Sequence, residues 1–178
     1  FSTSRGCIYD CSFCREKEYW DKYRFRSAEL IVRDIISFKE RFPMLKFVYF
    51  NDSLINGNMG EFDRFCDLMI KENIHVNWGG HIAIRKELTK EFLFKMSQAG
   101  AQRLNFGVES GSDIVLKLMR KNFTSNLALE ILENTRDSGI SFSVNLITGF
   151  PGENEEEFQK TVIFLNKIKQ LTPCVHIN

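Results

Sequence analysis

Three cysteines stand close together near the start of the chain, Cys7, Cys11 and Cys14 in the segment SRGCIYDCSFC. The C-x3-C-x2-C spacing allows three thiolates from one loop to converge on an iron–sulfur cluster. A structural zinc site usually takes four ligands, and the nearest histidine in the sequence is His75. Three ligands would leave one iron with an open position, which a catalytic metal centre requires. A structural zinc knuckle and unrelated free thiols are the competing interpretations.

Two glycine-bearing segments further along could bind a ligand. In NFGVESGSDIVLKLMRK, residues 105–121, Glu109 follows a predicted strand, where its carboxylate can accept hydrogen bonds from an ammonium or hydroxyl groups. Ser110 or Ser112 can cap the next helix. In LITGFPGENEEEF, residues 146–158, Pro and Gly form a strand-to-helix turn. Capping and ordinary turn chemistry are the alternative explanation for both segments.

Two further candidate sites also follow predicted strands. Asn51 and Asp52 come after the second strand, where turn chemistry explains them equally well. WGGHIAIR comes after the third strand and contains His81 and Arg85. Arg85 is the better candidate because its planar guanidinium matches a carboxylate. We expect His81 to be structural.

Short apolar runs alternate with amphipathic stretches along the chain, which predicts a parallel α/β sheet with right-handed crossovers. An open doubly wound sheet and an incomplete barrel both remain possible, and both bind ligands at the carboxyl ends of their strands. Ser27, Thr89 and Asn154 are predicted helix caps, the last in a capping box with Glu157. The predicted strands are residues 1–4, 46–50, 75–78, 103–106, 140–147 and, after Pro173, 175–177.

The cysteine spacing, Phe13 before the third cysteine and the strand-then-loop setting resemble the radical S-adenosylmethionine superfamily. Residues 105–121 are similar to the subgroup that includes methylthiotransferases, the Elongator catalytic subunit and cobalamin-associated enzymes. The resemblance implies an incomplete (β/α)6 TIM-like barrel with parallel strands and a cluster loop after strand 1. It implies that Cys7, Cys11 and Cys14 hold a 4Fe–4S cluster, and that no catalytic residue is needed beyond these ligands.

The same resemblance implies a cofactor and a set of residues that bind it. The cluster would bind S-adenosylmethionine and cleave it reductively to methionine and a 5′-deoxyadenosyl radical. Backbone groups of residues 147–150 would contact the adenine. The implied cofactor-binding residues are Phe13, Asn51, Asp52, Arg85, Glu109, Ser110, Ile147, Gly149 and Phe150.

The main hypothesis is therefore a radical enzyme core of the cobalamin-associated type, with cobalamin bound by a domain outside this sequence. One alternative is a methylthiotransferase-like core acting on RNA or protein. An alternative of another class is a non-catalytic module that binds an Fe–S cluster or zinc for structure. The sequence does not name the substrate; a flavodoxin or ferredoxin is the expected reductant.

Composition limits the remaining possibilities. The 178 residues carry a net charge of +1, which gives no electrostatic footprint for nucleic acid. No apolar run reaches membrane-spanning length and no signal peptide is visible, so we expect no membrane partner. Five cysteines, three of them clustered, favour metal binding in a reducing, cytoplasmic compartment. Since the chain starts at Phe1, we expect residues 1–178 to be a core domain cut from a longer protein.

Overall fold

The computed structural model describes residues 1–172 and 174–178; Pro173, predicted to precede the last strand, lies outside the described residues. Strands β1 (Ser4–Arg5) and β2 (Arg24–Phe25) pair antiparallel. A parallel sheet has the order β3 (Phe47–Phe50), β4 (Asn77–Ile82), β5 (Ala101–Glu109), β6 (Ser141–Leu146) and β7 (Val175–Ile177). The helices are α1 (Glu16–Tyr19), α2 (Ala28–Arg41), α3 (Met59–Lys71), α4 (Lys90–Gln98), α5 (Asp113–Leu118), α6 (Ser125–Asp137) and α7 (Glu155–Ile168).

The apolar face of the sheet packs against the helices and forms one hydrophobic core. Side chains of alternate strand residues, such as Phe50, Trp78 and Phe106, are buried there. The predicted caps are confirmed, because Ser27, Thr89 and Asn154 each accept a hydrogen bond from the backbone N–H three residues further on. No helix in the described part of the chain is long and apolar enough to cross a membrane.

The predicted parallel α/β sheet is confirmed, but the expected count of six strands is corrected. Within the described residues the parallel sheet has five strands and does not close. The predicted first strand, residues 1–4, contacts β3 only through Phe1, whose N–H donates to the Tyr49 carbonyl (3.1 Å) and whose carbonyl accepts from Asn51 N–H (2.8 Å). The chain then turns away, because Asp52 binds the backbone N–H groups of the next residues.

The third predicted strand is displaced, since β4 begins two residues after His75 and continues to Ile82. Gly79 and Gly80 suggested a turn, but they lie inside the strand. A Cβ on Gly79 would lie 2.3 Å from the Arg103 carbonyl oxygen on β5. The glycines therefore provide room for close packing instead of ending the strand.

Candidate cofactor site

The cysteine loop lies between β1 and β2 and opens onto a cavity of about 190 Å³. Cys7, Cys11 and Cys14 all line this cavity, and all five cysteines of the chain are free thiols within the described residues. A backbone hydrogen bond from Cys14 N–H to the Cys11 carbonyl (3.1 Å) closes a tight turn between two of them. The structure thus brings the three predicted ligands to one cavity.

The end of α5 holds the cysteine loop in place. Ser12 N–H donates to the Met119 carbonyl (3.1 Å), and Ser12 Oγ donates to the Leu118 carbonyl (3.0 Å). At the loop edge, Arg120 forms an exposed ion pair with Asp10 (3.2 Å). The loop is therefore attached to the segment that follows β5, which carries the second predicted motif.

The electrostatic environment links the thiols to each other and to Lys121. Burial raises the pKa of Cys7, and the nearby Cys11 and Cys14 raise it further, whereas the Tyr9 N–H on its sulfur acts in the opposite direction. Burial also raises the pKa of Cys11, and the positive charge of Lys121 opposes this shift. Without a bound cation, adjacent buried thiols resist losing several protons together.

The donor set of this cavity fits an iron–sulfur cluster. Three thiols are the ligand type that such clusters take, and each binds a different iron, so cluster ligands lie further apart than the ligands of one zinc ion. Across residues 1–172 and 174–178, no three His, Cys, Asp or Glu side chains are grouped to hold a single metal ion. The fit therefore rests on the three thiols and their common cavity.

Glu109 is the last residue of β5 and lines the same cavity. Its φ of 75° is unusual for a residue other than glycine, and the β5–β6 register shifts between Gly107 and Glu109. Strained backbone of this kind is often found at ligand sites. A Cβ on Gly107 would lie 2.6 Å from Glu109 Oε1, so the glycine leaves space for the carboxylate.

Lys121 is a site residue that sequence reasoning missed. Its Nζ donates to Glu109 Oε1 (3.1 Å) and to the Gly107 carbonyl (3.1 Å), and it lies 5.5 Å from the centre of the Phe13 ring. The side chains of Lys121 and Glu109 are only 12% and 11% exposed. Lys121 belongs to the motif that contains Glu109, but its sequence separation of twelve residues gave no indication of this contact.

The open face of the sheet adds polar side chains to the cavity. His81, Asn105 and Asn145 line it, and Asn145 Nδ2 donates to Asn105 Oδ1 (3.1 Å). Burial lowers the pKa of His81, which favours its neutral form at pH 7. The expectation that His81 is only structural therefore misses its position at the site. The signal was available, since His81, Asn105 and Asn145 interrupt otherwise apolar strands.

The third predicted motif meets the cysteine loop through an aromatic pair. The Phe150 and Phe13 rings are edge-to-face with centroids 6.4 Å apart. Ile147 N–H donates to the Glu109 carbonyl (2.7 Å), which connects this turn to β5. Gly149 has a φ of 72°, and its N–H donates to Glu153 Oε2 (2.6 Å).

The hydrogen-bonding groups of Asp52 are occupied by the start of the chain. The Asp52 carboxylate accepts hydrogen bonds from Thr3 N–H, Ser4 N–H and the hydroxyls of Ser2 and Thr3, at 2.7–3.0 Å. This network fixes the segment that leads into the cysteine loop. The adjacent Asn51 is exposed and is held through its backbone N–H.

Arg85 and Ser110 are also bound within the protein. Arg85 Nη1 donates to the carbonyls of Asn56 (3.0 Å) and Gly57 (3.1 Å), and Arg85 Nη2 pairs with Glu87 (2.9 Å). Ser110 is fully buried, with its hydroxyl 3.0 Å from Thr161 Oγ1 and also 3.0 Å from Ser112 N–H. Ser112, the alternative candidate, is the residue that caps α5.

Comparisons with known proteins agree with this geometry. The family model of the Radical SAM superfamily matches residues 1–165. The chain is 26% identical to the anaerobic magnesium-protoporphyrin IX monomethyl ester cyclase of Rubrivivax gelatinosus, over 89% of this chain and 28% of that protein. It is 27% identical to the tRNA-2-methylthio-N(6)-dimethylallyladenosine synthase of Acetivibrio thermocellus, over 92% of this chain and 36% of that protein. The chain thus spans about a third of these relatives.

Two solved structures show the same fold at low sequence identity. The radical S-adenosylmethionine methyltransferase TsrM of Kitasatospora setae, with cobalamin and a [4Fe-4S] cluster bound, has a TM-score of 0.84 at 18% identity, covering 99% of this chain and 35% of that one. The cobalamin-dependent S-adenosylmethionine radical enzyme OxsB, with aqua-cobalamin bound, has a TM-score of 0.78 at 21% identity, covering 93% of this chain and 26% of that one.

Proposed function

Because the chain belongs to the radical S-adenosylmethionine superfamily of enzymes, we propose that Cys7, Cys11 and Cys14 hold a 4Fe–4S cluster that cleaves S-adenosylmethionine reductively. The observation that carries this proposal is the convergence of the three thiols and Glu109 on one cavity. When bound, such a cluster keeps one iron free for the cofactor and supplies the electron that breaks a carbon–sulfur bond, giving methionine and a 5′-deoxyadenosyl radical.

The residues around the cavity would bind and orient S-adenosylmethionine. Glu109 would accept hydrogen bonds from the cofactor's ammonium or ribose hydroxyls, which strengthens binding because the acceptor is charged. Phe13 and Phe150 would supply an apolar wall, and the backbone from Ile147 to Phe150, including Gly149, would contact the adenine. Holding the sulfonium in a fixed orientation favours bond cleavage.

Four other predicted cofactor contacts, Asn51, Asp52, Arg85 and Ser110, stay predictions. Asp52, Arg85 and Ser110 would have to give up or share hydrogen bonds that they make within the protein. The proposal gives them the role of fixing the loops that carry the direct contacts.

We assign the chain to the cobalamin-associated type. Support comes from the fold similarity to two proteins described as binding cobalamin, OxsB and TsrM. A methylthiotransferase-like core acting on RNA or protein is the second candidate, supported by the similarity to tRNA methylthio synthases. A flavodoxin or ferredoxin would deliver the electron, and the substrate would enter from the open face of the sheet.

The test is the fate of S-adenosylmethionine in the intact protein reduced with dithionite. We expect slow release of methionine and 5′-deoxyadenosine, followed by chromatography, and no release from the matched Cys11→Ala variant. A protein that releases only S-adenosylhomocysteine transfers the methyl group by a polar route, and the radical cleavage would then be wrong. A purely structural metal module would release neither product.

A further inference from the structure

Lys121 is the charged side chain of the cavity that the proposed function leaves without a role. Its ammonium is largely shielded from water by Glu109, the Gly107 carbonyl and the rings of Phe13 and Phe123, whose centroids lie 5.5 and 5.9 Å away. A cation between two aromatic faces and a carboxylate is strongly held. The position of this charge is therefore fixed.

The backbone around Lys121 is fixed relative to the cysteine loop. Lys121 N–H donates to the Leu116 carbonyl (2.9 Å), which closes the end of α5. Residues 118 and 119 of the same turn bind Ser12, which follows Cys11 directly. Because Phe13 precedes Cys14, the Lys121–Phe13 contact also lies between two of the three thiols in sequence.

A buried charge near an iron–sulfur cluster changes the energy of adding an electron. The reduction potential of such clusters depends on net charge, hydrogen bonds and solvent exposure. Lys121 and Glu109 carry opposite charges at 12% and 11% exposure, so water and salt screen them weakly. The positive charge stabilises the reduced cluster, and the negative charge opposes reduction.

We infer that the Glu109–Lys121 pair sets the reduction potential of the cluster, with Lys121 as the positioning residue that keeps both the charge and the cysteine loop in place. This inference rests on the proposed function, since it requires a cluster on the three cysteines. The redox step is the gain of one electron by the cluster from a one-electron donor of the flavodoxin or ferredoxin class, with no atom transferred.

The experiment is a redox titration of the reconstituted intact protein, followed by electron paramagnetic resonance of the reduced cluster. In Lys121→Gln, the cluster should be harder to reduce, because Glu109 is left unpaired. In Glu109→Gln, it should be easier to reduce. At fixed solution potential the oxidised-to-reduced ratio should change by about fivefold or more in each variant, as expected of a partly buried unit charge at an effective dielectric of about 20.

Three matched variants separate this inference from general damage to the site. The double variant Lys121→Gln, Glu109→Gln should titrate close to the wild type, and Lys121→Arg should keep the wild-type potential because it keeps the charge. Arg120→Gln removes a neighbouring charge that is 64% exposed and paired with Asp10, and should shift the potential little.

The outcomes are distinguishable. Opposite shifts in the two single variants support the inference, whereas unchanged potentials or shifts in the same direction overturn it while leaving the proposed function intact. If Lys121→Gln does not retain a cluster, the upward shift in Glu109→Gln still decides the question. A wild type that forms no cluster would instead contradict the proposed function.

Discussion

At the scale of single residues, the five cysteines divide into two groups with different surroundings. Cys7, Cys11 and Cys14 face one cavity, whereas Cys66 is buried on α3, where burial raises the pKa of its thiol and keeps it protonated. Cys174 lies beside β7 with its sulfur 3.4 Å from His176 Nε2. This division predicts which thiols bind metal.

Replacing any one of Cys7, Cys11 or Cys14 with alanine should abolish cluster assembly, because each supplies a ligand that the other two cannot replace. The reconstituted wild type should contain about four irons and four sulfides per chain, measured by elemental and sulfide analysis. Cys66→Ala and Cys174→Ala are the controls and should keep the full content. Stoichiometric zinc in a wild type that forms no cluster would contradict this assignment.

At the scale of elements, the end of β5 determines where the cofactor carboxylate points. The register shift before Glu109 and its positive φ turn the side chain toward Lys121. The absence of a side chain at Gly107 leaves room for this orientation, because a Cβ there would approach Glu109 Oε1 to 2.6 Å. The glycine is thus part of the binding geometry.

Gly107→Ala should weaken S-adenosylmethionine binding without removing the cluster, because the methyl group displaces the Glu109 carboxylate. We expect a loss of about ten- to a hundredfold, the value of one charge-assisted hydrogen bond, matched by Glu109→Ala. Calorimetric titration under nitrogen measures the dissociation constant. Gly60→Ala, on α3 where the nearest atom would be 3.6 Å away, is the control and should bind normally. Unchanged affinity in Gly107→Ala would show that the carboxylate position does not matter.

At the scale of the whole molecule, a buried polar contact joins the two motifs that follow β5 and β6. The Ser112 hydroxyl, which caps α5, donates to Glu157 on α7, and Lys160 Nζ donates to the same carboxyl group (2.8 Å). The predicted capping box is therefore half right: Asn154 caps α7, but the Glu157 side chain binds Ser112 and Lys160. The Lys160 and Ser112 hydrogen bonds hold the pKa of Glu157 below its usual value.

This lowered pKa makes the connection between the motifs sensitive to acid. A group with a lowered pKa in the folded state contributes stability above its unfolded pKa, about 4.3 for glutamate, and loses it as pH falls through the folded value. We therefore expect Glu157→Gln to lower the melting temperature at pH 7 and to flatten its fall below about pH 4.3. Thermal unfolding between neutral and acid pH measures this change.

Glu156→Gln is the matched control for Glu157→Gln. Glu156 lies on the same helix and pairs with the same Lys160 at 3.0 Å, but its side chain is 77% exposed and Glu157 only 5%. An exposed ion pair contributes little to stability. Equal pH profiles for the two variants would mean that the buried contact with Ser112 does not stabilise the molecule.

The sequence by itself determined the features that depend on local chemistry. The helix caps at Ser27 and Thr89 follow from residue type at a single position, and the alternation of elements follows from periodicity. The three cysteines could be identified as a candidate cluster site because their spacing is short. The cofactor roles of the individual residues stay predictions.

Only the tertiary structure decided the features that depend on distant segments meeting. Lys121 reaches Glu109 because β5 bulges and α5 turns back, and Gly79 belongs to a strand because β5 passes too close for a side chain. Asp52 faces the start of the chain because Phe1 lies beside β3. Such contacts are set by packing between elements, which residue type and spacing along one segment do not encode.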